Sequence, residues 1–413
     1  MNKYGCIGKK LTHSFSKEIH ERLADYEYEL IELPEEDLPT FLTKREFAAV
    51  NVTIPYKQTV IPYLDEMSAI AHRIGAVNTI VNRDGKLYGY NTDYYGMKAL
   101  TMRVLSDLHG KKVLVLGTGG TSKTACAVAA DLGAAEVLTV SRRQTEGHVT
   151  YAQAMTDHAD AQVIINTTPC GMFPDGDSTP IDLAPFTQLK GVIDAIYNPL
   201  RTNLILDAKE RGIHAEGGLY MLVVQAVVAA EKFRGVTIRQ EAVDRIYADV
   251  LASKENIVLT GMPSSGKSTV SKQLNIDGYT FVDTDTEIEQ RCGCTIKKLI
   301  AAKGEAYFRD VETAVIRDLS AQSGCIIATG GGAVLREENV RNLKRNGQLF
   351  FLDAPLSRLC ATDDRPLSDT DDKLAKLYAE RMDVYRATAD VVVPAMATPA
   401  EEAEYILTKR MER

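Results

Sequence analysis

From Lys111 the text "KKVLVLGTGGTSKTACAVAADLGAAEVLTVSRR" passes from an apolar run through glycines into an alanine-rich stretch of helical period, then into a second apolar run. Short apolar runs bounded by turn residues predict buried strands, and their alternation with a helical stretch predicts a βαβ unit. "AQVIINTTPCG" and "KGVIDAIY" extend the pattern, each run ending in polar or glycine residues, as parallel strands do when their carboxyl ends face a ligand. Upstream, "YGCIG", "AAVNVTIP" and "NTIVN" predict short strands among helical stretches, a separate α/β layer. After Gly218, "LYMLVVQAVVAAEKF" has helical period with apolar residues on most faces, which predicts a buried helix.

The short polar stretch "ASKEN", Ala252 to Asn256, predicts a linker. Beyond it "NIVLTG", "YTFVDTD", "CIIATGG", "LFFLDAP" and "DVVVP" alternate with helical stretches and predict another α/β domain. The expected organisation is an α/β substrate domain over 1–101, a Rossmann-like nucleotide layer over 102–216, helices returning to the first domain over 217–251, the linker over 252–256, and a phosphate-loop α/β domain with a parallel sheet over 257–413. A chain of 413 residues exceeds what one core normally serves, so several domains are expected.

Composition adds exclusions. The net charge of −8 argues against a nucleic-acid partner, which would favour a basic face, and leaves small anionic ligands open. Seven cysteines lack zinc spacing and disulfide framework, and the N-terminus lacks the apolar core of a signal peptide. With no apolar run long enough to span a bilayer, a soluble cytoplasmic protein with no membrane partner is expected. All seven histidines lie at or before His214, so the C-terminal part must work without imidazole.

That part opens with "VLTGMPSSGKST", in which Gly261 to Ser268 matches GxxxxGK(S/T) in full between a predicted strand and helix. The glycines free backbone N–H groups to point at phosphate, Lys267 reaches the terminal phosphates and the Ser268 hydroxyl is placed for Mg²⁺. Gly261, Ser264, Ser265, Gly266, Lys267, Ser268 and Thr269 are the expected ATP-binding loop. In "FVDTDTEIE", Asp283 and Asp285 lie two apart at a strand end, which predicts carboxylates on one side. One would hold magnesium water and the other a hydroxylated substrate, although a lone Asp there also reads as a helix cap. Arg309 and Glu312 in "GEAYFRDVE" share a helix face, where an exposed ion pair is the plain reading. Gly330, Gly331 and Gly332 allow close approach of a ligand, Arg365 lies in a polar segment suited to a lid, and Arg381 lies in a helical stretch.

In this order the phosphate loop, DxD strand end, GE-x-x-FR-x-x-E helix, GGG turn, "RPL" and R-x-x-x-Y helix resemble shikimate kinase over residues 256 to 413. The resemblance implies that Asp285, Arg309, Gly331, Gly332 and Arg381 bind shikimate, the two arginines gripping its carboxylate. It further implies that Asp283 serves magnesium with Ser268, that Lys267 and Arg365 stabilise the phosphoryl group in transfer, and that Arg358 contacts the adenine side.

In the N-terminal part, Gly117, Gly119 and Gly120 follow a predicted strand as in a dinucleotide loop, with Ser122 at the third glycine position. Arg142 and Arg143 stand where an NAD enzyme tends to carry an acid, and they suit a 2′-phosphate, so NADP is expected. "THSFSKEIH", "NVTIPYK", "GAVNT" and "GYNTDYYG" are polar clusters at predicted strand ends. Each alone reads as a turn or cap; together they supply hydroxyls, amides, a lysine and a carboxylate suited to a small polyhydroxylated acid. With "GTGG", "SRR", "INTTPCGM", "DAIYNP" and "GGLYMLVVQA" they resemble shikimate dehydrogenase over residues 1 to about 250.

That resemblance implies Ser14 and Ser16 at the substrate carboxylate, Thr53, Asn78 and Gln225 at the substrate, and Lys57 with Asp93 as the catalytic pair. Tyr197 and Gly218 would border the nicotinamide and substrate, and Ser141 stands beside Arg142 in place of the usual asparagine. Lys17 replaces a usual proline. The expectation is a two-step enzyme using NADP(H), ATP and Mg²⁺ on small-molecule substrates, as monomer or homodimer. The alternatives are a quinate-type dehydrogenase joined to a kinase for another polyol, or one catalytic half beside a degenerate binding module.

Overall fold

Three sheets organise the chain. In the computed structural model, which describes residues 3–11, 15–23, 25–361 and 370–412, they fall in two compact units, Met1–Leu251 and Ala252–Arg413. The first sheet is mixed, in the order Tyr28–Glu32, Tyr4–Gly8, Ala49–Val52, Thr79–Arg83, Lys86–Tyr90, Glu66–Met67. Because Thr79–Arg83 runs antiparallel to both neighbours, its start lies beside the carboxyl ends of Ala49–Val52 and Lys86–Tyr90. Polar residues just outside those ends therefore meet.

The second sheet is all parallel, in the order His214–Glu216, Gly191–Asp194, Val163–Asn166, Lys112–Leu116, Glu136–Ser141, Val149–Thr150. This is the doubly wound nucleotide-binding order, whose direction reverses between Lys112–Leu116 and Val163–Asn166. Alternate residues enter opposite cores: Val113 and Val115 pack with Ile165 and Ile193, whereas Leu114 and Leu116 pack with Ile164 and Val192. A sheet covered on both faces requires continuous apolar runs, which is why these strands are legible in the sequence.

The third sheet, in the second unit, is also parallel: Thr280–Asp283, Cys325–Ala328, Asn256–Thr260, Gly347–Asp353, Val391–Pro394. Here Ile257, Leu259 and Phe350 face one core and Val258, Leu349 and Phe351 the other. The strand carrying the phosphate loop is central. Threonine hydroxyls at 295, 370 and 398 accept from backbone N–H groups in the first turns of the helices Ile296–Lys303, Asp371–Thr388 and Pro399–Met411.

Two expectations differ from the structure. The stretch expected as a linker has no loop of that length: the helix Gln240–Lys254 continues through it, and the strand Asn256–Thr260 starts two residues later. Ala252 and Lys254 are good helix formers, and no Gly or Pro intervenes. The expected boundary between residues 101 and 102 falls inside the helix Asp93–Val104.

That helix packs on the apolar helix Leu219–Arg234 through Gly96, where an added Cβ would stand 2.4 Å from the Met221 carbonyl oxygen and 3.2 Å from Gln225 Cβ. Gly96→Ala is expected to destabilise the first unit by about 1–3 kcal/mol through overpacking. Calorimetric unfolding checks this; an unchanged transition would mean that the helices separate freely.

Candidate active sites

The ends of the first sheet assemble the first site. Lys57 follows the strand Ala49–Val52 by a turn closed from Tyr56 N to Thr53 O at 2.9 Å, and Asp93 opens its helix after the strand Lys86–Tyr90. Lys57 Nζ donates to Asp93 Oδ2 at 2.6 Å, with side chains 18% and 10% exposed. Beside them Asn78 Oδ1 accepts from Thr92 N at 2.7 Å, and Asn78 Nδ2 donates to Thr92 Oγ1 at 2.9 Å and reaches Gln225 Oε1 at 3.4 Å. Gln225 is held by donating to Leu222 O at 2.9 Å.

Asn51 supports this row from behind. Its Oδ1 accepts from Tyr28 OH at 2.6 Å, and its Nδ2 donates to Thr79 Oγ1 at 3.1 Å. Buried amides with satisfied partners keep their orientation, so the groups facing the Lys57–Asp93 pair are fixed before a ligand arrives. Asn51 and Thr92 are additions to the expected set; both lie inside "NVTIPYK" and "GYNTDYYG" but read there as turn residues. Ser16 begins the helix Ser16–Leu23, next to Phe15, whose ring lies 5.1 Å from that of Tyr197. Burial pushes the Tyr197 phenol up to about 12. Ser14 lies outside the described residues.

At the reversal point of the second sheet, Gly117 has φ +106, and a Cβ there would fall 2.9 Å from Thr167 Oγ1. Ser122 donates to Gly117 O at 2.6 Å, so the hydroxyl at the third glycine position ties the loop down. Gly119 and Gly120 face open space and begin the helix Gly120–Asp131, which leaves its first N–H groups available to a pyrophosphate. Past Ser141, whose Oγ accepts from Arg143 N at 3.1 Å, both Arg142 and Arg143 are exposed. This loop, helix end and cationic edge fit a dinucleotide with a 2′-phosphate. Gly218 is bound to the next turn by its N–H to Ile196 O at 2.7 Å, and any side chain there would meet Ala195 O.

The second unit holds a cavity of about 810 Å³ lined by the phosphate loop and by Asp283, Asp285, Arg309, Gly331, Gly332 and Arg381. Positive φ at Gly261, Ser264 and Gly266 turns the loop, and Lys267 Nζ folds over it to Gly261 O at 2.9 Å and Met262 O at 2.8 Å. Ser268 Oγ donates to Asp283 Oδ2 at 2.9 Å. Among the described residues no group of three or more His, Cys, Asp or Glu could hold a metal. One hydroxyl and one carboxylate beside a phosphate loop do fit Mg²⁺, which keeps waters and takes phosphate oxygens.

The two aspartates reach the cavity by a route other than strand alternation. Asp283 ends the strand and caps the helix Thr284–Cys292, accepting from Asp285 N at 3.0 Å, while Asp285 lies in that helix's first turn. The capping reading of Asp283 and its place beside Ser268 hold together. Arg309 and Glu312 form no surface pair: they meet at 2.7 Å with Glu312 fully buried, because the pair faces the cavity. Burial works against the charge on each; it raises the Glu312 carboxyl, and Glu312 raises Arg309 in return.

Arg381 Nη1 donates to Gly331 O at 3.0 Å, so the glycine turn anchors the second arginine, and the Tyr385 hydroxyl donates to the same oxygen. Arg358 is absent from the cavity lining and donates to Met396 O at 2.6 Å. Arg365 lies outside the described residues. Phe308, from the GE-x-x-FR-x-x-E helix, forms an apolar wall with Ile296, Ile300 and Leu377, which motif reading missed because nothing distinguishes them from core residues in the sequence.

Residues 263–411 match the family model for shikimate kinase, and residues 6–80 match that for the shikimate dehydrogenase substrate binding domain. The shikimate dehydrogenase (NADP(+)) of Clostridium perfringens strain SM101 is 35% identical over 268 residues, covering 60% of this chain and 98% of that protein. The crystal structure of shikimate dehydrogenase 1 from Peptoclostridium difficile superposes with a TM-score of 0.56 at 34% identity, covering 60% of this chain and 98% of the other. Quinate dehydrogenase from Corynebacterium glutamicum in complex with NAD gives a TM-score of 0.55 at 26% identity, covering 61% and 99%.

A Cβ at Gly330 would stand 2.6 Å from Asp285 Oδ1 and 2.9 Å from Glu312 Oε1. Gly330→Ala is therefore expected to displace the Asp285 carboxylate and slow ATP-dependent phosphoryl transfer in this cavity by about 10- to 100-fold, with the first unit's activity unchanged. Steady-state assay of both activities checks it; a wild-type transfer rate would show that the turn yields.

Proposed function

Because the chain belongs to the shikimate dehydrogenase family and carries a shikimate kinase domain behind it, we propose that Lys57 with Asp93 and the cavity beside Lys267 carry out its two consecutive reactions. The first unit reduces 3-dehydroshikimate to shikimate with NADPH, and the second phosphorylates shikimate to shikimate 3-phosphate with ATP and magnesium. The observation that carries the site assignment is the 2.6 Å Lys57–Asp93 contact at the strand ends that also hold Asn78, Thr92 and Gln225 together.

NADPH, when bound, supplies the hydride. Thr53, Asn78 and Gln225 orient the ring hydroxyls of the substrate, and the Ser16 end of its helix faces the carboxylate. As negative charge develops on the substrate carbonyl oxygen, the Lys57 ammonium offsets it, and the proton held between Lys57 Nζ and Asp93 Oδ2 passes to that oxygen. Partial burial keeps this charge effect strong.

In the second unit Arg309 and Arg381 present two cations to the shikimate carboxylate. Their guanidinium groups are already oriented by Glu312 and by Gly331 O, which lowers the cost of ordering them. Asp285 accepts from the hydroxyl to be phosphorylated. Ser268 and Asp283 would hold magnesium, which would supply charge neutralisation for the phosphates, and Lys267 adds a cation at the phosphate loop. Such transfer depends on positioning and positive charge, which a unit without histidine supplies in full.

A second reading, quinate with NAD in the first unit, draws on the likeness to the Corynebacterium enzyme. The exposed Arg142 and Arg143 and the NADP(+) designation of the clostridial relative favour NADP. No helix among the described residues is long and apolar enough to cross a membrane. The seven free cysteines suit a reducing cytoplasmic compartment. Lys57→Ala is expected to lower the reduction rate by about 10²- to 10⁴-fold and leave shikimate phosphorylation intact. Lys267→Ala should do the reverse. Loss of both activities in either variant would contradict the assignment of separate sites.

A further inference from the structure

Asp194, at the end of the strand Gly191–Asp194, is fully buried, and the reduction needs no acid at that place. Three donors converge on it. Its Oδ1 accepts from Asn166 Nδ2 and from Ile196 N, both at 3.0 Å, and its Oδ2 accepts from Thr202 Oγ1 at 2.6 Å. A carboxylate can accept all three hydrogen bonds, two of them on Oδ1 from N–H groups that cannot accept in return, whereas an apolar side chain accepts none.

Each partner fixes a different segment. Ile196 holds Gly218 through the carbonyl that accepts the Gly218 N–H, and Tyr197 follows it. Asn166 uses its own Oδ1 to accept from Thr168 N at 3.0 Å and from Thr168 Oγ1 at 2.8 Å. The adjoining Thr167 donates to Leu116 O at 2.6 Å and packs where a Cβ of Gly117 would lie. Thr202 caps the helix Asn203–Glu210. The carboxylate thus ties the glycine loop, the threonine turn and the Tyr197 turn together around the reversal point of the sheet. Burial pushes its carboxyl up to about 7 in spite of three donors, a cost that an apolar residue would avoid.

We propose that Asp194 is a positioning residue for hydride transfer, setting the Ala195–Tyr197 turn and Gly218 against the nicotinamide ring. This rests on the reading that Tyr197 and Gly218 border that ring. The residue acts through backbone and touches no substrate.

Asp194→Asn can keep all three contacts, its NH₂ donating to the Thr202 hydroxyl, so the test is Asp194→Ala, which removes every acceptor from Asn166 Nδ2, Ile196 N and Thr202 Oγ1. Its steady-state kinetics with 3-dehydroshikimate and NADPH, the primary isotope effect with NADPH deuterated at the transferred position, and its thermal unfolding separate the roles. A positioning role predicts kcat lower by about tenfold, a raised KM for NADPH, a larger isotope effect, and a KM for 3-dehydroshikimate changed by less than about twofold. A lowered unfolding temperature with kcat and isotope effect as in the wild type would overturn the proposal, because it would leave only a structural role. The wild-type protein tests the functional reading itself: if it fails to oxidise NADPH with 3-dehydroshikimate, that reading falls, whatever the variant does.

Discussion

A strand leaves backbone groups without ladder partners where it stops, and those ends are where loops must turn and polar residues can be satisfied. All the candidate sites are built on this constraint. In the first sheet two strand ends and one strand start converge, bringing Lys57, Asn78 and Asp93 together from separate segments. In the second, the glycine loop and the turns after Asn166 and Asp194 meet at the reversal of strand order. In the third, the phosphate loop leaves a central strand between those that end near Asp283 and the GGG turn and those on the other side. The apolar strands fix the positions, and the chemistry is carried by the residues just beyond them.

Precision then comes from buried polar partners. Asn51, Asn78 and Thr92 hold one another beside the Lys57–Asp93 pair, and Glu312 and Gly331 O hold the two arginines of the cavity in the second unit. Such groups cost free energy when buried and are held by their partners, although Glu312 Oε1 itself has none among the described residues. Asn51, Thr92 and Asp194 extend the same logic one layer away from the reacting atoms.

Much of this was legible in the sequence. Continuous apolar runs predict the doubly covered strands and the GxxxxGK(S/T) motif predicts the phosphate loop, whereas only the family resemblances singled out Lys57 with Asp93 and Arg309 with Arg381. What was hidden depends on three-dimensional neighbours. A helix that starts immediately after Asp283 replaces strand alternation, so Asp285 enters the cavity from a helical turn. The i,i+3 spacing of Arg309 and Glu312 is the same for an exposed pair and a buried one, and only the cavity distinguishes them. The polar "ASKEN" looked like a break because composition hides the helix propensity of Ala and Lys. Ser122 looked like a defect in a glycine motif, yet its hydroxyl closes the loop.

The account stands on two working sites in one chain. The most direct measurement is mass spectrometry of the products formed when the intact protein is given 3-dehydroshikimate, NADPH, ATP and magnesium together. Shikimate 3-phosphate is the predicted product, with NADPH and ATP consumed in equal amounts. Unchanged 3-dehydroshikimate, or shikimate that accumulates with ATP untouched, would contradict it.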